Sequence, residues 1–171
     1  EDFLEVYDNT LRKQTGSYYT PPEVVNTMVR WVDEALRSQR YNLSTGLAHP
    51  TVTFVDPATG TGTYLLGMIR RIAERVKADE GEGAVAAAIQ AAIGRLVAFE
   101  MQLGPFAVAQ LRVLAEIVAL TGSKPVKPLQ MFVTDTLADP HDDAEHIFQS
   151  VIQLARSRKE ANKIKRETPV T

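Results

Sequence analysis

The stretch of this chain best suited to chemistry is Asp56-Pro57-Ala58-Thr59-Gly60-Thr61-Gly62-Thr63, a carboxylate followed by a glycine-bearing loop. Gly60 and Gly62 remove side chains where a ligand must come close to the backbone, and both permit positive φ. A helix start behind such a loop offers unpaired N–H groups. Three kinds of glycine loop compete for this pattern. A P-loop needs Lys then Ser or Thr after its last glycine, whereas Thr63 and Tyr64 stand there. A dinucleotide loop is G-x-G-x-x-G, but Gly67 comes two residues late, and Glu100 lies 38 residues past Gly62 (100 − 62) rather than about 20. A loop with aspartate in front suits a ligand carrying positive charge, an ammonium or sulfonium, which a pyrophosphate site would avoid. The remaining reading is a plain strand-to-helix turn with glycines for close packing, and Asp-Pro ahead of two glycines argues against it.

Two more carboxylates end apolar runs. Glu100 follows Leu96-Val97-Ala98-Phe99, and Asp135 follows Gln130-Met131-Phe132-Val133-Thr134. Glu100 reads either as an acceptor for both hydroxyls of a ribose or as a solvated strand terminus. Asp135 reads either as a ligand acceptor or as a turn residue capped by its own side chain.

The elements that must position these groups follow from hydrophobic period. Residues 51–55 are a short β-branched and aromatic run, 96–99 a second strand and 130–133 a third. Between them lie predicted helices over 64–77, 84–93 and 105–120, with Gly81 and Gly83 breaking the first pair and Gly122 as a C-cap. Ahead of them, Thr20-Pro21-Pro22-Glu23 predicts a capping box with Thr20 as N-cap. The helix behind it, ending near Ser38, has Val24, Val25, Met28, Trp31, Val32, Ala35 and Leu36 on one face, with Trp31 in the core. Asn26, Arg30, Asp33, Glu34 and Arg37 fill the other face. Residues 41–50 read as a loop and 142–166 as a helix with a basic second half; Val170 and Thr171 begin another strand. Alternating strands and helices imply a parallel sheet covered on both faces. Right-handed crossovers order the strands 3-2-1, with the incipient fourth beyond the first. Ligands of such sheets sit outside the carboxyl ends of the strands, where Asp56, Glu100 and Asp135 all fall.

Composition is that of an ordinary globular domain: 171 residues, 44% hydrophobic, 23% charged and a net charge of −2. The charge gives no whole-chain case for nucleic-acid or membrane binding. With no cysteine, thiolate metal sites, disulfides and cysteine nucleophiles are excluded. No apolar run is expected to approach the roughly 20 residues of a membrane span, and no signal peptide is expected. His141, Asp142, Asp143, Glu145 and His146 match no metal-ligand spacing and read as an acidic helix start. The cations from Arg156 to Arg166 read as a solvated helix face, with a DNA phosphate contact as the alternative.

Together these motifs resemble the S-adenosylmethionine-dependent methyltransferases, and within them the N6-adenine DNA methyltransferases. Residues 56–64 resemble that family's D-P-A-x-G-x-G-x-F/Y cofactor motif, and Gly16-Ser17-Tyr18-Tyr19-Thr20-Pro21 its G-x-Y-Y-T-P motif. Residues 3–36 resemble the fused helicase–methylase restriction–modification proteins, the single-polypeptide relatives of type I systems and type IIG enzymes. The resemblance implies a class I methyltransferase, Rossmann-like fold: α/β, a doubly wound parallel sheet, partial, with an N-terminal helical segment. Residues 1–40 would form that segment and 51–171 an incomplete S-adenosylmethionine-binding domain. Tyr19 and Thr20 would close over the methionine part of the cofactor. Asp56 would lie near its ammonium, with Ala58, Gly60 and Gly62 in the loop the cofactor crosses. Glu100 would hold the ribose hydroxyls, Met101 would pack on the adenine, and Asp135 would accept from the adenine amino group. Thr136, or Leu137 in its place, would complete the adenine wall. No catalytic and no metal-binding residue is implied within the chain.

One family feature is absent from these residues: no N/D-P-P-Y/F tetrapeptide, the motif that receives the target base, occurs among them. We therefore expect a fragment of a longer cytoplasmic protein, inert by itself. Its partner would be double-stranded DNA, engaged through a parent chain that supplies the other methylase half, a target-recognition domain and nuclease or helicase domains, with no membrane association. The rival functions are a methyltransferase for RNA or protein and a non-catalytic nucleotide-binding module. On the cofactor reading, Glu100→Ala is expected to change affinity and leave stability nearly unchanged.

Overall fold

The computed structural model describes residues 20–141 and 152–167. Three parallel strands, β1 (Phe54–Asp56), β2 (Leu96–Glu100) and β3 (Gln130–Val133), form a sheet in the order β1-β2-β3, as the sequence predicts. Asp56 pairs with Ala98, and Glu100 with Val133, so the three carboxyl ends lie together. Side chains alternate across a strand. Leu96 and Ala98 enter the large core with Phe54 and Met131, whereas Val97 and Phe99 join Phe132 and Ala161 on the opposite face. Burial on both faces explains why β2 reads as an unbroken apolar run.

Helices α1 (Pro22–Arg37), α2 (Thr63–Glu80), α3 (Glu82–Ile93) and α4 (Leu103–Thr121) contribute to the large core, and α5 (Ile152–Glu167) covers the other face through Ala161. Gly81, at φ +91°, separates α2 from α3, and Gly122, at φ +69°, caps α4 as expected. The expected residues 142–151 of the last helix, and Val170 and Thr171, lie outside the described residues. β1 begins at Phe54 rather than Thr51. The Arg95 guanidinium donates to the carbonyl oxygens of Ala48, His49 and Val52, so a cation satisfies part of the preceding segment instead of a strand ladder.

The first helix differs from expectation in three ways. Its N-cap is Pro21, with no side-chain cap; the Val24 and Val25 amides donate to the Pro21 carbonyl, and the Thr20–Glu23 box does not form. Two successive prolines move the helix start one residue on, which puts Val24 rather than Glu23 at the box position. Trp31 is not core: it is 62% exposed, along with Val24, Met28 and Val32. The apolar residues span too wide an arc to be covered together, and the buried positions are Val25, Val29 and Asp33, four residues apart. Asp33 is therefore inside, not on the polar face. Its carboxylate accepts from the Leu47 amide at 3.0 Å and pairs with Arg71 at 3.0 Å and Arg37 at 3.4 Å. The short 3₁₀ turn Gly46–Ala48 docks on it, and a Cβ at Gly46 would lie 2.1 Å from Asp33 Oδ1.

Contrary to expectation, one helix among the described residues, the 19-residue α4, is long and apolar enough to cross a membrane, with mean hydropathy 1.6 over an 18-residue stretch. Its inner face, Ala109, Val113 and Ile117, packs in the core, and Glu116 pairs with Arg70 of α2. Leu103, Val108, Leu111 and Val118 are exposed on it.

Candidate functional site

The loop after β1 is built by its own hydrogen bonds. The Thr59 amide donates to the Phe99 carbonyl at 3.0 Å, the Gly62 amide to the Thr59 carbonyl at 2.8 Å, and Thr59 Oγ1 to the Asp56 carbonyl at 3.2 Å. Gly60 and Gly62 both have positive φ, +55° and +84°, which favours glycine. Their surroundings differ. A Cβ at Gly60 would meet nothing within 4 Å, whereas one at Gly62 would lie 3.2 Å from Ala109 Cβ. Gly60 thus borders open space and Gly62 is a packing contact with α4.

Asp56 is buried, 9% exposed. Its Oδ1 accepts from the Ala58 amide at 3.2 Å, and its Oδ2 has no partner. Burial pushes its carboxyl above the ordinary aspartate value; the Ala58 amide opposes that, and the Glu100 charge adds to it. Burying a carboxylate oxygen without a partner is costly, so the site is electrostatically suited to a cation or a hydrogen-bond donor.

Glu100 is half-buried and already engaged. Its Oε2 accepts from the Gly60 amide and its Oε1 from the Gln102 amide, each at 2.8 Å. The expectation that Glu100 is merely hydrated in the empty site is therefore wrong: it ties the glycine loop to the end of β2. Asp135 is exposed, and its Oδ1 accepts from the Leu137 amide at 2.9 Å, the local turn that was the alternative reading for this residue. Thr136 Oγ1 donates to the Pro57 carbonyl, which links the third strand end to the first. Met101 and Leu137 are 64% and 93% exposed beside them.

The structure thus gathers Asp56, Ala58, Gly60, Gly62, Glu100, Met101, Asp135 and Thr136 at one edge of the sheet. Tyr19 lies outside the described residues. Thr20 stands just ahead of Pro21, the N-cap of α1, and α1 runs beside α2 in the same direction: Met28 meets Tyr64, Val25 and Val29 meet Gly67, Asp33 meets Arg71 and Arg37 meets Asp79. The start of α1 therefore lies on the same side as the glycine loop. His141 donates its amide to Asp139 Oδ1, and the neighbouring Asp142, Asp143, Glu145 and His146 lie outside the described residues.

Sequence reading places neither of two cations at this edge: it takes Lys165 only as part of a basic helix face and does not single out Arg112. Lys165 of α5 donates to the Asp135 carbonyl at 2.6 Å and lies 5.6 Å from the centre of the Phe99 ring. Burial lowers its pKa, with the Asp135 charge opposing and Arg158 adding. Arg112 of α4 donates to the Thr61 carbonyl at 2.8 Å and to Thr61 Oγ1 at 3.0 Å. No local signal marks either residue, because both contacts bridge distant parts of the chain. A separate groove of about 320 Å³ between α1 and α2 is lined by Arg30, Arg70, Arg71 and Glu74. Arg70 is spent on Glu116 and Arg71 on Asp33, and the groove lies away from the strand ends.

Helices on both faces of a parallel sheet, with a glycine loop and three acidic strand ends on one edge, define an α/β protein with a partial methyltransferase-like fold. The chain belongs to the N-6 DNA methylase family, whose model matches residues 1–153. Three solved structures share the fold. The DrdV–DNA complex, seen by cryo-electron microscopy, matches at TM-score 0.70 and 24% identity over 95% of this chain and 14% of that one. The ATP-dependent Type ISP restriction–modification enzyme LlaBIII bound to DNA matches at 0.72 and 24%, over 90% and 10%. A nuclease-deletion mutant of the Type ISP enzyme LlaGI, in complex with a DNA substrate mimic, matches at 0.70 and 26%, over 90% and 12%. The chain thus spans 14% or less of the length of these relatives. No curated protein matches it.

Proposed function

We propose that this chain is the S-adenosylmethionine-binding part of an adenine-specific DNA methyltransferase from a restriction–modification system. The observation that carries the reading is the unpartnered Oδ2 of buried Asp56, which fits the ammonium of the methionine moiety. Each Glu100 oxygen accepts one amide and retains a lone pair for a ribose hydroxyl. Gly60 leaves open space for the ligand to approach the backbone. Asp135 keeps its second oxygen for the adenine amino group, exposed Met101 lies on the adenine face, and Thr136 holds the adenine wall to the first loop. By the family resemblance, Tyr19 and Thr20 would close the methionine end.

When bound, S-adenosylmethionine supplies an electrophilic methyl group on sulfur, which the adenine amino group takes by direct displacement. The residues of this chain align and hold; no residue here serves as a covalent nucleophile. The acceptors for the target amino group belong to the N/D-P-P-Y/F motif of a longer parent chain, in which DNA is the partner.

Calorimetric titration of S-adenosylmethionine beside NAD and ATP tests this reading. Selective binding of S-adenosylmethionine, with no methyl incorporated into duplex DNA by these 171 residues, is expected. Tighter binding of NAD or ATP would replace it with a nucleotide-binding module, and methyl incorporation above a no-protein control would overturn the assignment of inactivity.

A further inference from the structure

Resting on that reading of the strand edge, we propose that Arg112 is a positioning residue that sets the conformation of the cofactor loop from outside the site. Thr61 stands between two glycines of positive φ, so its peptide groups are the ones least held by ordinary backbone preference. Their orientation decides where Gly62 directs its amide, which donates to the Thr59 carbonyl. From the inside the loop is held by Glu100, through the Gly60 amide. From the outside it is held by one Arg112 nitrogen, which donates to both the carbonyl and the hydroxyl of Thr61.

Arg112 is itself set in an ordered frame. One turn further along α4, Glu116 takes a two-pronged bond from Arg70 of α2, at 2.8 and 2.7 Å. That carboxyl is held below its usual range by the Arg70 bond first, and the Arg112 charge contributes as well. Ala109, one turn before Arg112, is fully buried against Gly62. Three successive positions on one face of α4 thus meet the glycine, the loop carbonyl and the helix behind the loop. Arg112 never reaches the open space at Gly60, so its effect on a ligand passes through the loop.

The test compares Arg112→Met and Arg112→Lys with the unmodified chain by three readouts: amide NMR signals of Gly60 and Gly62 without ligand, calorimetric affinity for S-adenosylmethionine, and melting temperature. Arg112→Met is expected to shift both glycine signals and weaken affinity by about threefold to tenfold. Because Arg112 is exposed, melting should move by no more than about 2 °C. Arg112→Lys, which retains a charged donor, should recover much of the affinity. Unchanged glycine signals, or unchanged affinity where the unmodified chain binds, would overturn the proposal. So would equal losses of affinity and melting temperature with no recovery by lysine. If the unmodified chain binds no S-adenosylmethionine while the glycine signals still respond, the loop-holding role stands and the cofactor reading falls.

Discussion

The first and third strand ends carry the same residue type in opposite conditions. At the end of β1, Asp56 is 9% exposed, one oxygen is unpartnered, and burial raises its pKa. At the end of β3, Asp135 is exposed and uses an oxygen on its own turn. The first is a charge held ready at a cost to the fold; the third is a turn residue with capacity to spare. Binding strength should therefore be concentrated at the β1 end, and β3 should contribute mainly shape and orientation.

Substitutions can break this comparison, beginning with the largest effect. Asp56→Asn should lower S-adenosylmethionine affinity by about tenfold to a hundredfold, since a charged partner is lost. Without ligand it should leave melting unchanged or raise it by about 2–4 °C, because a desolvated charge is removed. A calorimetric titration and a melting curve on the same sample decide it; a fall in both would make Asp56 structural. Glu100→Ala should also cost affinity about tenfold, with a loss of melting temperature as well, because the Gly60 and Gln102 amides lose their acceptor. Glu100→Gln should restore only part of the stability, because its single amide oxygen can accept from one of the two amides and its NH2 faces the other. Asp135→Ala should weaken affinity only about threefold, about 0.65 kcal/mol, the low end for one hydrogen bond at an exposed residue. If Asp135 proved the costliest of the three, the contrast between the strand ends would be inverted.

Acidity sharpens the same contrast. Asp56 has a raised folded pKa, so its ionisation is disfavoured in the empty folded state. Its sign is the reverse of a salt-bridged aspartate: protonation below the raised value favours the fold, and that contribution fades as pH rises through it. Cofactor affinity should run the other way, falling as acid neutralises Asp56. Affinity that follows pH in wild type and is flat in Asp56→Asn over the same range is the expected result.

Much of this edge was legible because it is local. The loop, the strand ends and the strand order follow from runs of a few residues, and β2 and β3 sit where the apolar runs place them. What escaped depended on residues far apart. Asp33 and Trp31 both belong to α1, and periodicity assigned the aspartate to water and the tryptophan to the core. The reverse holds, because Arg37, Arg71 and the Leu47 amide make a home for the carboxylate. Arg112 and Lys165 similarly gain meaning only when α4 and α5 meet loops they do not adjoin in sequence. The capping box failed locally, at two prolines whose rigidity outweighed a suitable pair of side chains.

Asp33 also bears on motion. It fastens α1, α2 and the Gly46 turn at one place, whereas Thr20 lies beyond the opposite end of α1. From Pro22 to Asp33 the helix spans about 17 Å, at roughly 1.5 Å per residue. A displacement of the Thr20 end would therefore be expected to tilt α1 about Asp33 and to strain the buried Val25 and Val29 contact with Gly67. Backbone amides near the pivot should exchange with solvent most slowly, and those toward Pro22 progressively faster.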